Sequence, residues 1–297
     1  MAPFIRHYGM WSAAQQRRLG LARVAVGGVG GVGSTQALLL AKAGIGQIRI
    51  ADRDNYEVEN VVEQAFATWD AVGLSKVEIA KREMVRHQAQ LQVEAIQGDL
   101  AQPDVAAQLV LGTEMVFSAV DNPAARIALG RAALDCCVPF VVGANVGWSY
   151  FHTIYIPELG GYAANFRRMK GIRRDPLGFP VLADADTRVS IERDWCIWTV
   201  AFSGFRNPEL RRFIRGDLDH FAYAAGPAFA AASASVSEGL KCMLHIGSVA
   251  VYPDARVIDL KRGGQLTPAT IRKRYAAVAA VWDKGERAIL GALEDNG

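Results

Sequence analysis

The sequence predicts an α/β fold built on a mostly parallel sheet with flanking helices, and three observations carry that expectation. Residues 22–27 (ARVAVG) form an apolar, valine-bearing run that passes through GVGGVG at 28–33 into an Ala/Leu-rich run over 34–43, the order of strand, turn and helix. A second β-alternating run, QIRIA at 47–51, ends in Asp52. Beyond it, β-like and helix-like stretches alternate as far as Gly143, which calls for parallel strands joined by helical crossovers.

Taken in order, Gly44-Ile45-Gly46 stops the first of these helices as a C-cap should. Ser75 precedes a run of helix formers over 76–90, with apolar Val77, Ile79, Ala80, Met84 and Val85 at helical spacing. Strands are expected at 91–96, 115–120 and 140–143, with helices at 104–111 and 124–136. A second β-rich stretch covers 148–156. From 160 to 219 periodicity is lost and Arg, Pro and Gly gather, so 157–222 reads as a crossover insertion. Gly226-Pro227 opens a small-residue helix to about His245, with Glu238 and Lys241 at helical spacing. An edge-type strand follows at 255–260, and the tail over 265–297 is helical. The chain reads as a single domain over 1–297 with an N-terminal arm at 1–20 and no internal repeat.

Composition narrows the function without naming it. The 297 residues are 51% hydrophobic and 21% charged, with a net charge of +3, too mild to imply a nucleic-acid or membrane partner. No apolar run approaches the ~18 residues of a membrane span, and the N-terminus lacks the basic-then-apolar order of a secretory signal, so a cytoplasmic protein is expected. Cys136, Cys137, Cys196 and Cys242 form no CxxC pair, and neither a structural zinc nor a disulfide framework is expected.

The glycine loop places Gly28, Gly30, Gly31 and Gly33 where a strand turns into a helix. There the backbone can approach a ligand closely, and the first helical N–H groups face it. Asp52, about 20 residues beyond, stands where a carboxylate reaches ribose hydroxyls. Loop and carboxylate together serve a dinucleotide-dependent oxidoreductase and an ATP-dependent enzyme equally.

The next segments separate the two. GVGGVG at 28–33, GIG at 44–46, Asp52-Arg53-Asp54, Asn60, Gln64, VGLSK at 72–76 and DNPAAR at 121–126 occur in order over roughly 6–150. This set resembles the ThiF/MoeB/HesA superfamily of ubiquitin-activating-enzyme-like adenylyltransferases. The resemblance implies a Rossmann-like sheet and the ATP-dependent adenylation of a carboxylate, the C-terminus of a ubiquitin-like sulfur carrier or of a precursor peptide. It further implies that Asp52 holds ribose, that Asp54, Asn60, Gln64, Lys76 and Asn122 line the ATP site with the loop glycines, and that Asp121 handles Mg²⁺. Arg6 is positioned like the arginine that crosses a dimer to the neighbour's triphosphate, in a homodimer or heterodimer. The chemistry agrees: an anionic nucleophile meeting an α-phosphate needs cations to offset repulsion, which Lys76 and a metal at Asp121 would provide.

Three departures stand out. The family's Asn-Leu-Asn-Arg-Gln stretch is Asn60-Val61-Val62-Glu63-Gln64 here, a charge reversal. Glu63 must therefore point elsewhere, pair with a cation, or weaken ATP turnover, and the last outcome leaves open a half-competent partner subunit of a heteromeric enzyme. His220-Phe221-Ala222-Tyr223 holds no cysteine where many relatives place one. Cys196, beside Trp195 and Trp198, is the one substitute, although a buried inert thiol is the favoured reading. The paired zinc cysteines are absent. Finally, Arg167, Arg168, Lys170, Arg173 and Arg174, with Arg206, Arg211, Arg212 and Arg215, form a basic stretch. Asp175, Asp184, Asp186, Glu192, Glu209 and Asp217 interleave it, which favours a solvated face over a nucleic-acid site.

Overall fold

A computed structural model describes residues 4–163, 166, 169, 171–204, 208–217, 225–252 and 255–295. The N-terminal half is the expected alternation. α1 (Ala13–Leu21) leads into β1 (Arg23–Gly27), α2 (Gly31–Ala43), β2 (Gln47–Asp52), α3 (Lys76–His87) and β3 (Gln92–Gln97). There follow α4 (Pro103–Val110), β4 (Met115–Ser118), α5 (Pro123–Asp135), β5 (Phe140–Val146) and β6 (Ser149–Tyr155). Local chemistry sets the helix starts. Ser12 and Gln15 form a reciprocal capping box on α1. At α5, the Asn122 side chain accepts the Ala124 N–H at 2.8 Å, with Pro123 as first helical residue.

The eight strands form one sheet in the order β3-β2-β1-β4-β5-β6-β7-β8, with β7 (Arg256–Asp259) and β8 (Gly264–Gln265) closing the far side. Pairs from β3 to β5 are parallel, and those from β5 to β8 are antiparallel. The direction of winding reverses between β1 and β4, and crevices at the C-terminal ends of such strands are where α/β sheets bind ligands.

Strand alternation distributes the core over both faces. On β1, Val24 and Val26 join the cluster containing Leu40 of α2, Val77 of α3 and Val236 of α8 (Ala225–Leu244). Ala25 points the other way, into the cluster with Leu109 of α4 and Leu129 of α5. A third cluster joins α6 (Ala185–Phe202), α7 (Pro208–Arg215), β7, α9 (Pro268–Ala279) and α10 (Glu286–Asp295) through Val200, Leu210, Val257, Val278 and Ile289. Among the described residues no helix is long and apolar enough to cross a membrane.

Two expectations need correction. The stretch taken as aperiodic holds the 18-residue α6 and, after it, α7. α6 is buried at Ile191, Asp194, Ile197, Thr199, Val200, Ala201 and Phe202, on more than one face, so its apolar residues trace no single stripe. A start signal was present: Asp184 accepts the Thr187 N–H at 2.9 Å as an N-cap. The strand expected at an edge, β7, is instead flanked by β6 and β8.

Candidate active site

The glycine loop is held rigidly. Gly28 adopts φ +84°, a conformation costly for any residue with a Cβ. At Gly33 an added Cβ would lie 1.8 Å from the Gly28 carbonyl oxygen, so the loop closes tightly onto α2 only with glycine there. Asp52 braces the loop from below. One carboxylate oxygen accepts the Val29 N–H at 2.7 Å and the other accepts the Asp54 N–H at 3.0 Å. Burial lifts the Asp52 carboxyl above the usual carboxylate range, against the opposing pull of those two N–H groups and of Lys76. Asp52→Ala should cost about 1–3 kcal/mol of stability by leaving two donors without acceptors, as measured by urea unfolding; an unchanged midpoint would show that the brace is dispensable.

Around this loop lies a cavity of about 180 Å³. It gathers Gly28, Gly30, Gly31, Asp52, Asp54 and Gln64, and with them Lys76, Asp121 and Asn122. The Lys76 side chain is only 9% exposed, and its Nζ lies 3.6 Å from an Asp54 carboxylate oxygen. Asp121 is exposed at the rim.

Three expected site residues fall outside the cavity lining. Gly33 serves packing, as above. Asn60 is buried, its side-chain oxygen accepting the Glu57 N–H at 2.9 Å to close a short 3-10 turn. Arg6 belongs to the N-terminal arm, where neighbouring Phe4 packs near Gly44. That is the far end of α2 from the loop, roughly 20 Å away for a helix of this length.

Glu63 points into the cavity wall. Its carboxylate stands 2.6 Å from where a Cβ on Gly31 would be, over the first residue of α2. Gln64 Nε2 donates to it at 2.9 Å. Burial raises the Glu63 carboxyl, with the Gln64 bond and the Lys76 charge opposing. Glu63 thus lines the cavity beside the first residue of α2.

Two lining residues, Asn145 and Trp195, carried no site signal in the sequence. Asn145 lies on β5, which runs to Val146 rather than ending near Gly143. It is 8% exposed and lines the cavity, and its Nδ2 has no hydrogen-bond partner. Gln64 Oε1 is likewise buried without a partner. Arg126 and Trp195 close one side, with the guanidinium 4.7 Å from the indole ring centre and one nitrogen donating to the Val120 carbonyl at 2.6 Å. Glycine-loop cavity, opposed carboxylates and buried lysine form one polar site at the winding reversal.

The sequence model of the ThiF family matches residues 4–276. The chain belongs to the ThiF family. It is 33% identical over 146 residues to Protein HesA of Leptolyngbya boryana, covering 49% of this chain and 52% of that one. It is 31% identical over 134 residues to the sulfur carrier protein ThiS adenylyltransferase of Bacillus subtilis strain 168, covering 44% and 40%. This ThiF-family chain thus spans about half the length of the curated relatives it matches. Its fold is that of E. coli MccB with MccA-N7isoASN, at TM-score 0.66 and 18% identity, covering 90% of this chain and 71% of that one. PaaA follows at TM-score 0.60 and 20% identity, covering 85% and 65%. MccB has also been seen with ATP, in a structure at TM-score 0.61.

Other features of this ThiF-family chain are structural. Cys196 is half-buried on α6, and burial raises its thiol, which disfavours the thiolate. Of the basic stretch, Arg174 donates to the carbonyls of Phe166 and Met169, while Arg211 and Arg215 pair with Glu286. Arg167, Arg168, Lys170 and Arg206, and the cysteine-free 220–223, lie outside the described residues.

Proposed function

We propose that the chain adenylates a substrate carboxylate using ATP and Mg²⁺, releasing pyrophosphate. The observation that carries this reading is the single polar cavity in which the glycine loop, Asp52, Lys76 and Asp121 meet. In the proposed reaction a carboxylate oxygen attacks the α-phosphorus. The bond from that phosphorus to the oxygen bridging the β-phosphate breaks, and its electron pair leaves with pyrophosphate. Buried Lys76 offsets the negative charge gathering on the phosphates. The first turn of α2 presents N–H groups to them, and Asp52 reaches the ribose. Asn145 and Gln64, each with one buried side-chain atom without a partner, line the same cavity.

Asp121 fits the metal role. Magnesium accepts one or two carboxylates together with phosphate oxygens, and among the described residues no cluster of three or more acidic, histidine or cysteine side chains offers a self-sufficient site. When bound, the ion would supply charge neutralisation at the phosphates. The substrate class follows the relatives: a ubiquitin-like sulfur carrier, or a precursor peptide as in the MccB complex. Arg6, remote from the loop of its own chain, would act only on a neighbour's site in a dimer.

ATP–pyrophosphate exchange with candidate carriers and peptides tests the reading, together with calorimetry of ATP against NAD. Absence of both exchange and ATP binding overturns it, and tight NAD binding would point instead to an oxidoreductase.

The Glu63 carboxylate over the start of α2 favours a second reading, a half-competent subunit that borrows cations from another chain. Activity of the purified chain alone excludes it. In either reading Glu63 repels phosphate when ionised. Glu63→Gln should raise ATP affinity several-fold, well below the ~4 kcal/mol Coulomb limit for charges ~4 Å apart. The sign with pH follows from the raised carboxyl. Burying ionised Glu63 carries no cost below its unfolded value, and the full cost appears as pH rises through the higher folded value. The affinity gap between wild type and Glu63→Gln should therefore close as pH falls through that folded value. A constant gap, read by calorimetry across pH, would show that Glu63 does not face the phosphates.

A further inference from the structure

Beside the nucleotide cavity lies a second cavity of about 130 Å³ with a different character. Its walls are Val146, Phe151, Ile191, Trp198 and Val257, with Phe166 and Met169 at one side. Three polar side chains in this lining are engaged by the protein. Asp194 accepts from the Tyr275 hydroxyl at 2.5 Å, the Thr153 hydroxyl donates to the Ala250 carbonyl, and Arg126 donates to the Val120 carbonyl. What remains for a ligand is mostly apolar surface.

Arg126 and Trp195 line both cavities. They therefore form the partition between a site for phosphates and a site for hydrocarbon. The guanidinium lies over the Trp195 ring and 5.8 Å from the Phe151 ring centre, so this wall is a stack of flat groups. Adjacent residues of β5 continue the division: Asn145 lines the polar cavity and Val146 the apolar one.

We propose that the apolar cavity receives the side chain of the residue whose carboxylate is activated, and that this residue is bulky and apolar, of leucine to phenylalanine size. The proposal rests on the adenylation reading and specifies its substrate: a peptide ending in such a residue. Geometry supports it, because the two cavities share Arg126 and Trp195 in their linings and so adjoin along that edge. A terminal residue seated at that shared edge presents its carboxylate to the nucleotide in one cavity and its side chain to the other. Size supports it as well, since an apolar cavity of ~150 Å³ accommodates benzene. A terminal glycine would leave the cavity unfilled and forgo its burial energy.

The test is equilibrium binding, in the presence of a non-hydrolysable ATP analogue, of N-acetyl-phenylalanine, N-acetyl-leucine and N-acetyl-glycine to the full chain, followed by tryptophan fluorescence and calorimetry. The apolar acids should bind roughly tenfold to a hundredfold more tightly than the glycine derivative. Ala255→Phe, which fills the apolar cavity from a residue that does not line the nucleotide cavity, should abolish that preference and leave the affinity for the ATP analogue unchanged. Equal affinities, no binding of any of the three, or a preference that survives Ala255→Phe overturns the proposal. Failure of the ATP analogue itself to bind overturns the adenylation reading instead, so the two failures are told apart.

Discussion

On the proposed function, Lys76→Met should lower ATP–pyrophosphate exchange by roughly 10²–10³-fold, the scale of losing one preorganised electrostatic group, while the fold persists. Lys76 is 7% exposed, and among the described residues its one ion pair is a 3.6 Å approach to the half-exposed carboxylate of Asp54. A buried cation carries a desolvation cost that an arriving polyanion offsets. Methionine has nearly the same length and removes only the charge, so packing around Val77 and Ile79 survives. The ligand-free variant should melt at or above the wild-type temperature, because stability at such a position is sacrificed for function. Calorimetry of ATP binding, exchange rate and thermal melting together check the result. An unchanged exchange rate would remove Lys76 from the chemistry and leave it as the first residue of α3.

Gly33→Ala has the largest expected effect on the fold. The new Cβ would meet the Gly28 carbonyl oxygen at 1.8 Å and its carbon at 2.8 Å. Both are backbone atoms that cannot rotate away, and Ala119 blocks the other side at 3.1 Å. The loop must shift, at a cost of about 3 kcal/mol or more, and nucleotide binding is lost with it. Gly73→Ala is the comparison. Gly73 has φ +85° but no atom within 4 Å of an added Cβ, so its cost is conformational alone, about 1–2 kcal/mol. Urea midpoints for the two variants separate collision from strain. Equal losses would mean that the Gly28–Gly33 approach is not what holds the loop.

The first half of the fold was legible because its apolar runs obey one period at a time: β2 alternates through buried Ile48 and Ile50, and α3 buries Val77, Ile79, Ala80 and Met84 at helical spacing. α6 was not, because neighbours cover it on more than one face and its apolar positions blur into continuity. The site was legible where a residue type is rare in its role, as with the buried Lys76 or a glycine cluster between strand and helix. The division of labour within the motif was not. Gly30 and Gly31 line the cavity while Gly33 only permits close packing, a difference fixed by distances across the loop. Asn145 and Trp195 escaped notice because each enters the site through a distant element, β5 beyond its expected end and a helix read as loop. Glu63 was legible as an anomaly, but its direction depended on the 3-10 turn anchored by Asn60.

β5 is a seam with a different partner geometry on each side. Towards β4 it belongs to the parallel half that frames the glycine loop, and towards β6 it opens the antiparallel half whose residues shape the apolar pocket. On the proposed function, the reagent common to every turnover is handled on one flank of a single strand and the identity of the acid is judged on the other. Selection can therefore rewrite the judging flank, through β6 and β7, without disturbing the machinery that spends the nucleotide.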